Sequence, residues 1–341
     1  MTNDWIKRMK WLLAGALLVP FAAAAEDAGK PLEKVRLMLH WKHQPQFAGF
    51  YMAKEKGFYE QRGFDVQIDS RPARSEPLDL LVEGRVDFAT HFLAAGIGLR
   101  GVQKDPIVHI GQFFNRSNMM LVARRSDGVE KLSDLSGKTV AWWEGYYRFL
   151  FRALFQKYGV VDVIERPLGP TIAPFTSRQI AAASAMEYNE YFLTRAAMGD
   201  AAGDLVAFPL RELGLDFPED ALYTTEMIAA QKPELCRAIL AATLEGWEYA
   251  LEHPEETLAV VARIANTPGD PASEEHSRWM LRICSESITP LEGSGRTAGR
   301  LSRSDFNMVK NFLLANGEIR HDFTYDEFVR LDAVEPPSEQ Q

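Results

Sequence analysis

The chain has 341 residues, 46% of them hydrophobic, with 47 acidic against 38 basic side chains and a formal net charge of −9 at pH 7. That balance excludes a nucleic-acid binder working through a basic surface, because phosphate binding is driven by neutralisation with Lys and Arg. Two cysteines are too few for a cysteine metal cluster, and the length suits two lobes, each with a core of its own.

Lys7, Arg8 and Lys10 precede an apolar run from Trp11 to Ala22, and Ala23-Ala24-Ala25 precede Glu26. A charged start, an apolar stretch too short to span a bilayer and small residues at a cleavage position read as a secretory signal peptide over residues 1–25. A membrane anchor is the competing reading, and it needs about 20 apolar residues. No cysteine stands near the cleavage position, which argues against a lipid anchor. Removing residues 1–25 takes away a net +2 and leaves −11. The expected product is a soluble protein of a Gram-negative periplasm with no nucleic-acid partner.

From residue 35 the pattern alternates strand with helix, which implies mostly parallel sheets. Val35-Arg36-Leu37-Met38-Leu39 reads as a strand, and Pro45 stands where a helix opens after a short loop. Phe64 to Ile68 alternates as the next strand, Glu76 to Glu83 reads as a short helix stopped by Gly84, and Val86 to Ala89 and Ile107 to Ile110 read as further strands. Met119 to Ala123 reads as a crossing strand. Beyond it we expect a strand over Val140 to Trp143, a helix from Tyr147 to Tyr158, a helix over Ser177 to Ala183, and strands at Ala183 to Glu187 and Leu205 to Phe208. Tyr223 to Met227 returns to the first lobe. Pro233 to Glu252 reads as a long helix with Leu235, Ile239, Ala242, Leu244 and Trp247 along one side, and Pro254 starts the next. Leu291 to Arg300 reads as a loop. Cys236 and Cys284 fall in helical stretches; in an oxidising compartment they either pair or stay as buried thiols.

His40-Trp41-Lys42-His43-Gln44-Pro45-Gln46-Phe47-Ala48-Gly49-Phe50-Tyr51 forms a polar, aromatic loop at the carboxyl end of the first strand. Loops converge at that edge of an open α/β sheet, and helix N-termini present unpaired N–H groups there. Gly57-Phe58-Tyr59 and Gly63-Phe64-Asp65-Val66 follow. Together these segments resemble the first motif of the NMT1/THI5-like periplasmic substrate-binding proteins, which include binders of thiamine pyrimidine precursors. The resemblance runs from about Val35 to about Phe312. It implies a two-lobed α/β architecture, the type II periplasmic-binding-protein fold, with mostly parallel sheets and hinge crossings. Lobe one is expected over residues 26–118 and 222–332, lobe two over 119–221, crossings near 116 to 124 and 209 to 227, and a flexible tail over 333–341.

Met186-Glu187-Tyr188-Asn189-Glu190-Tyr191-Phe192 resembles the segment in which those proteins stack a Tyr on the pyrimidine and hydrogen-bond it with a Glu. The resemblance implies Tyr188 as the ring and Glu190 as the carboxylate, with Glu187 and Asn189 beside them. An aminopyrimidine has an amine and ring nitrogens along one edge, which a carboxylate can engage, and a flat face that suits an aromatic partner. A surface helix start with a chance mix of Tyr and Glu is the plain alternative. Trp41 is either core or a wall of the cleft. Gln46 and Phe47 occupy the loop-to-helix junction, and His91, at the end of a strand, either enters the cleft or caps a helix. Asn115 ends another strand. Glu144 and Tyr146, around Gly145, sit in a strand-end loop whose backbone N–H groups suit a polar ligand atom. Neither a P-loop nor a dinucleotide glycine pattern is present. One departure stands out: the Gly-x-x-Asp of the resemblance appears as Gly84-Arg85-Val86-Asp87, but the matching piece of the second lobe is Arg178-Gln179-Ile180-Ala181.

The expected function is that of a monomeric, non-enzymatic solute-binding protein. It captures a small heteroaromatic ligand, a thiamine pyrimidine precursor such as a formylaminopyrimidine, and delivers it to the membrane subunits of an ABC importer. No cofactor, metal or catalytic residue is expected. The alternatives are another ligand (a sulfonate or a riboflavin-like compound), a sensor for a separate kinase, or an enzyme of the pyrimidine-synthase type. That enzyme type carries a Cys-rich segment that is missing here, and a first-motif His where this chain has Phe47.

Overall fold

The computed structural model describes residues 31–330, apart from 73–74, 144–145, 268, 270 and 291–292. The expected signal peptide and tail lie outside the described residues. The strands are β1 (Glu33–Leu39), β2 (Phe64–Ser70), β3 (Phe88–Phe92), β4 (Ile107–Gln112), β5 (Met119–Arg124), β6 (Thr139–Trp142), β7 (Ile164–Pro167), β8 (Ala182–Met186), β9 (Leu205–Pro209) and β10 (Asp220–Thr225). They form two five-stranded sheets, ordered β2-β1-β3-β10-β4 and β7-β6-β8-β5-β9. The α/β fold expected from the sequence is the one observed.

The two sheets repeat one plan. In each, three neighbouring strands run parallel, and a fourth, β10 or β5, enters antiparallel to both of its neighbours. The chain leaves the first sheet after β4 and enters the second at β5; it returns between β9 and β10. Both inserted strands are buried along their whole length. The return strand begins at Asp220, three residues before the expected Tyr223. Cys236 and Cys284 are both buried and form no disulfide with each other, so the disulfide reading is set aside.

Helices after β10 cover the first sheet. Helix Pro233–Glu252 crosses helix Ala48–Glu55 in backbone contact, because glycines meet there: a Cβ on Gly246 would stand 2.0 Å from the Gly49 carbonyl oxygen. This crossing seats the helix that opens just beyond Gln46, and so it holds the first-motif loop. Gly246→Ala is expected to destabilise by about 3 kcal/mol, since the obstacle is backbone and cannot swing aside. A thermal melt with an unchanged midpoint would contradict that tight crossing.

Two expectations need correction. Ser177 to Ala183 is not a helix; a short helix over Ala173–Thr176 ends before it, and the chain then turns at Arg178 with φ of 60°. Arg178 stands where the first lobe has Gly84, whose φ is 70°. The left-handed turn thus survives without glycine, with Arg178 pairing to Asp127 at 2.6 Å. The second correction is β7, an exposed edge strand that the sequence reading passed over.

Candidate functional site

Loops that follow the parallel strands of both sheets meet in one cleft of about 1090 Å³. His40, Trp41, Gln44 and Gln46 come from the loop after β1, Arg71 and Glu76 from that after β2, and His91 from the end of β3. Across from them stand Trp143 and Tyr147 after β6, residues 167–170 at β7, and Tyr188, Asn189 and Glu190 after β8. Neither antiparallel insert lines it. The carboxyl edges of parallel strands are where loops are free to converge on a ligand, and here two such edges face each other.

Aromatic walls and mixed charge define the space. Trp41, Phe92, Trp143, Tyr147 and Tyr188 supply rings, while Lys42 and Arg71 stand among Glu76, Asp79 and Glu190. Arg71 is not a free cation: its guanidinium lies 5.8 Å from the Trp41 ring and donates to Glu76 at 2.5 Å. Glu76 also faces His91 Nε2 at 3.8 Å, and that contact, with Arg71, holds its carboxyl below the ordinary range.

Glu190 opens helix Glu190–Met198 and folds back on its own start. Its Oε2 accepts from the Met186 amide at 3.0 Å and its Oε1 from Asn189 Nδ2 at 2.6 Å. Burial raises its carboxyl, against the pull of those donors and of Lys42. Its own amide is a third donor, and a carboxylate has about four acceptor positions, so about one remains for a ligand. Tyr188 is buried beside it, with its ring 6.3 Å from that of Phe114.

The floor of the cleft is polar and tightly tied. His40 Nδ1 meets Thr90 Oγ1 at 2.9 Å, Gln46 Nε2 donates to Asp220 Oδ2 at 2.8 Å, and Gln44 Nε2 donates to Gln46 Oε1 at 2.6 Å. Burial, with His91 and Arg71, pushes His40 well below its usual pKa, and burial raises Asp220. Their 3.7 Å approach lies beyond hydrogen-bond distance.

The residues expected in the site separate into groups. Trp41, Gln46, His91, Tyr188, Asn189 and Glu190 line the cleft. Phe47 does not: it is fully buried in the core, edge-on to His40 at 5.1 Å, because the tight helical turn at Pro45–Phe47 sets successive side chains about 120° apart. Asn115 lies on the crossing instead, donating to the carbonyls of Phe113 and Ile288. Glu187 is drawn away by Arg211, at 2.6 Å, while Trp279 donates to its carbonyl. Glu144 and the side chain of Tyr146 lie outside what the structure describes. His40, Gln44, Arg71, Glu76, Trp143 and Tyr147 also line the cleft and were not singled out; their signal was position, each following a parallel strand.

Comparison with known proteins agrees with this plan. The family described as NMT1/THI5 like matches residues 44–257, more than half of the chain. The chain belongs to that family. Among known proteins similar to it, the riboflavin-binding protein RibY of Chloroflexus aurantiacus is 24% identical, over 91% of this chain and 90% of its own. The formylaminopyrimidine-binding protein of Halalkalibacterium halodurans is 24% identical, over 84% and 87%. A 4-amino-5-hydroxymethyl-2-methylpyrimidine phosphate synthase of Legionella pneumophila is 21% identical, over 79% and 86%. Among solved structures, the periplasmic aliphatic sulphonate binding protein SsuA of Escherichia coli superposes with a TM-score of 0.65 at 15% identity, covering 88% of this chain and 98% of SsuA. At that identity the likeness speaks for the fold.

Proposed function

We propose that this protein is a periplasmic solute-binding protein of an ABC importer, and that its ligand is a small planar heteroaromatic molecule of the aminopyrimidine type. The observation that carries the reading is the pairing of aromatic walls with Glu190, a buried carboxyl that keeps an acceptor position inside the cleft. A flat ring suits Trp41 and Tyr188, and an exocyclic amine suits the carboxylate. A sulfonate suits it less, because the lining carries more acids than bases and Arg71 is already engaged. A riboflavin-like ligand is the second reading. It is favoured by the size of the cleft, which exceeds what a single ring fills at the usual ligand burial of about 70 to 90%.

Delivery rather than turnover is part of the same proposal. The pyrimidine-synthase type carries a Cys-rich segment and a first-motif His where this chain has Phe47, and Cys236 and Cys284 are buried and do not line the cleft. Native mass spectrometry of protein purified from its own periplasm tests the proposal. A retained mass of an aminopyrimidine supports it, an isoalloxazine mass moves the assignment to the second reading, and conversion of the bound compound overturns both. Small-angle scattering with the saturating ligand should show a smaller radius of gyration; an unchanged value would count against closure around the ligand.

A further inference from the structure

One buried carboxyl stands behind the cleft lining with an acceptor to spare. Asp220 opens β10, its side chain is 5% exposed, and its Oδ1 has no hydrogen-bond partner among the described residues. Its Oδ2 takes the Nε2 hydrogen of Gln46, and that same nitrogen lies 3.2 Å from His40 Nε2. In the tautomer that carries its proton at Nδ1, toward Thr90, His40 accepts at Nε2. With that tautomer assigned, both neighbours take the NH2 end of the Gln46 amide. The carbonyl end must face the other way, and there it accepts from Gln44 Nε2. That orients Gln44 in turn, leaving its Oε1 unused on a side chain that lines the cleft. Reversing Gln46 would set N–H against N–H and strip a buried carboxyl of its donor, and reversing Gln44 would set oxygen against oxygen, each a loss of a satisfied buried group.

We propose that Asp220, without touching the ligand, fixes the hydrogen-bond polarity of the cleft floor through Gln46 and Gln44, so that Gln44 Oε1 selects ligands presenting an N–H or O–H over those presenting a lone pair. The proposal rests on the reading of the cleft as an aminopyrimidine site. An exocyclic amine has two hydrogens, one for Gln44 from the first sheet and one for Glu190 from the second. Ligands whose polar edge is all oxygen meet an acceptor with an acceptor. Asp220 is then a positioning residue, placed by the strand that brings the chain back from the second sheet.

The test uses the full chain and two probes, 4-amino-2-methylpyrimidine and 4-methoxy-2-methylpyrimidine, which has an ether oxygen and no N–H where the amine stood. Calorimetry should show wild type favouring the amine by about 10-fold or more, as sites built to accept from a donor do. Gln46→Met and Asp220→Leu should reduce that ratio to about threefold or less. Asp220→Asn should restore it, because the amide oxygen still accepts from Gln46. A merely structural role would weaken both probes together and leave the ratio alone. Equal binding of the probes by wild type, or an unchanged ratio in Gln46→Met, overturns the proposal; if Asp220→Leu does not fold, Gln46→Met carries the test. Should neither probe bind, the aminopyrimidine reading fails, and the relay is judged in the ligand-free protein. There the Gln44 side-chain amide resonances must move in Asp220→Leu, or in Gln46→Met, and stay in Asp220→Asn; resonances unmoved by every variant overturn it.

Discussion

Replacing Glu219 with alanine is expected to cost about 3 to 5 kcal/mol of stability, because buried donors left without an acceptor lose about 1 to 3 kcal/mol each. Glu219 lies on the returning crossing and takes hydrogens from the outgoing one: Ser117 Oγ at 2.9 Å, Asn118 N at 2.8 Å, Asn118 Nδ2 at 2.9 Å and Met119 N at 3.2 Å. Asn118 is tied in turn to helix Pro271–Ile288 by Ser287 Oγ at 2.9 Å. One carboxyl therefore ties the two crossings together. Burial pushes that carboxyl up to about 7 against the pull of its donors. A carboxyl held above its ordinary 4.5 is more easily protonated folded than unfolded. Its contribution is complete below 4.5 and is lost as the pH rises through about 7. Glu219→Gln does not titrate, so wild type should lose up to about 3 kcal/mol relative to it across that window. Asp220, next to it, shifts in the same direction and is raised partly by Glu219, so the gap reads the titration of the pair. Chemical denaturation on either side of the window measures the gap; a flat gap would mean that the four donors keep Glu219 ionised throughout.

Much of the fold was legible because its signals are local. The alternation of Val35 to Leu39, the stop at Gly84 and the run from Pro233 to Glu252 each depend on neighbours in the chain, and β1, the helix Pro77–Val82 and the helix Pro233–Glu252 stand where they were read. Strand β7 was illegible for the converse reason. Ile164-Glu165-Arg166-Pro167 is exposed at every residue, so no buried face imposes a pattern. The helix expected from Ser177 fails at Arg178, whose left-handed turn only glycine would have announced. In the site, Tyr188, Asn189 and Glu190 were readable from one contiguous motif. Asn115 and Glu187 were misplaced because a strand end does not say whether its loop turns into the cleft or into a crossing. Asp220 carried no signal at all. Its meaning is a hydrogen bond from Gln46, 174 residues away in the chain.

Glu190→Gln is expected to weaken an aminopyrimidine by about 10- to 150-fold, equivalent to about 1.5 to 3 kcal/mol, the range for a hydrogen bond to a charged group. The local cost should be smaller. Glutamine keeps one carbonyl oxygen, able to accept from either the Met186 amide or Asn189, so the start of helix Glu190–Met198 loses about one neutral hydrogen bond, ~1 kcal/mol. Because Glu190 titrates, acid should imitate the substitution. Its carboxyl is raised by burial, so affinity should fall as the pH drops through that raised value, while Glu190→Gln shows no such fall. Trp41→Ala should remove about 0.5 to 1.5 kcal/mol of ring contact beyond the area it covers, and it frees the Arg71 guanidinium from its ring. The two side chains stand on loops of different sheets and share no described hydrogen bond, so their effects should add to within about 0.5 kcal/mol if each meets its own part of the ligand. Calorimetry on both single variants and the double variant decides this, with melting curves beside them. Wild-type affinity in Glu190→Gln for every pyrimidine that binds would sink the carboxylate assignment, and a collapsed melting temperature in Trp41→Ala would return that ring to the core.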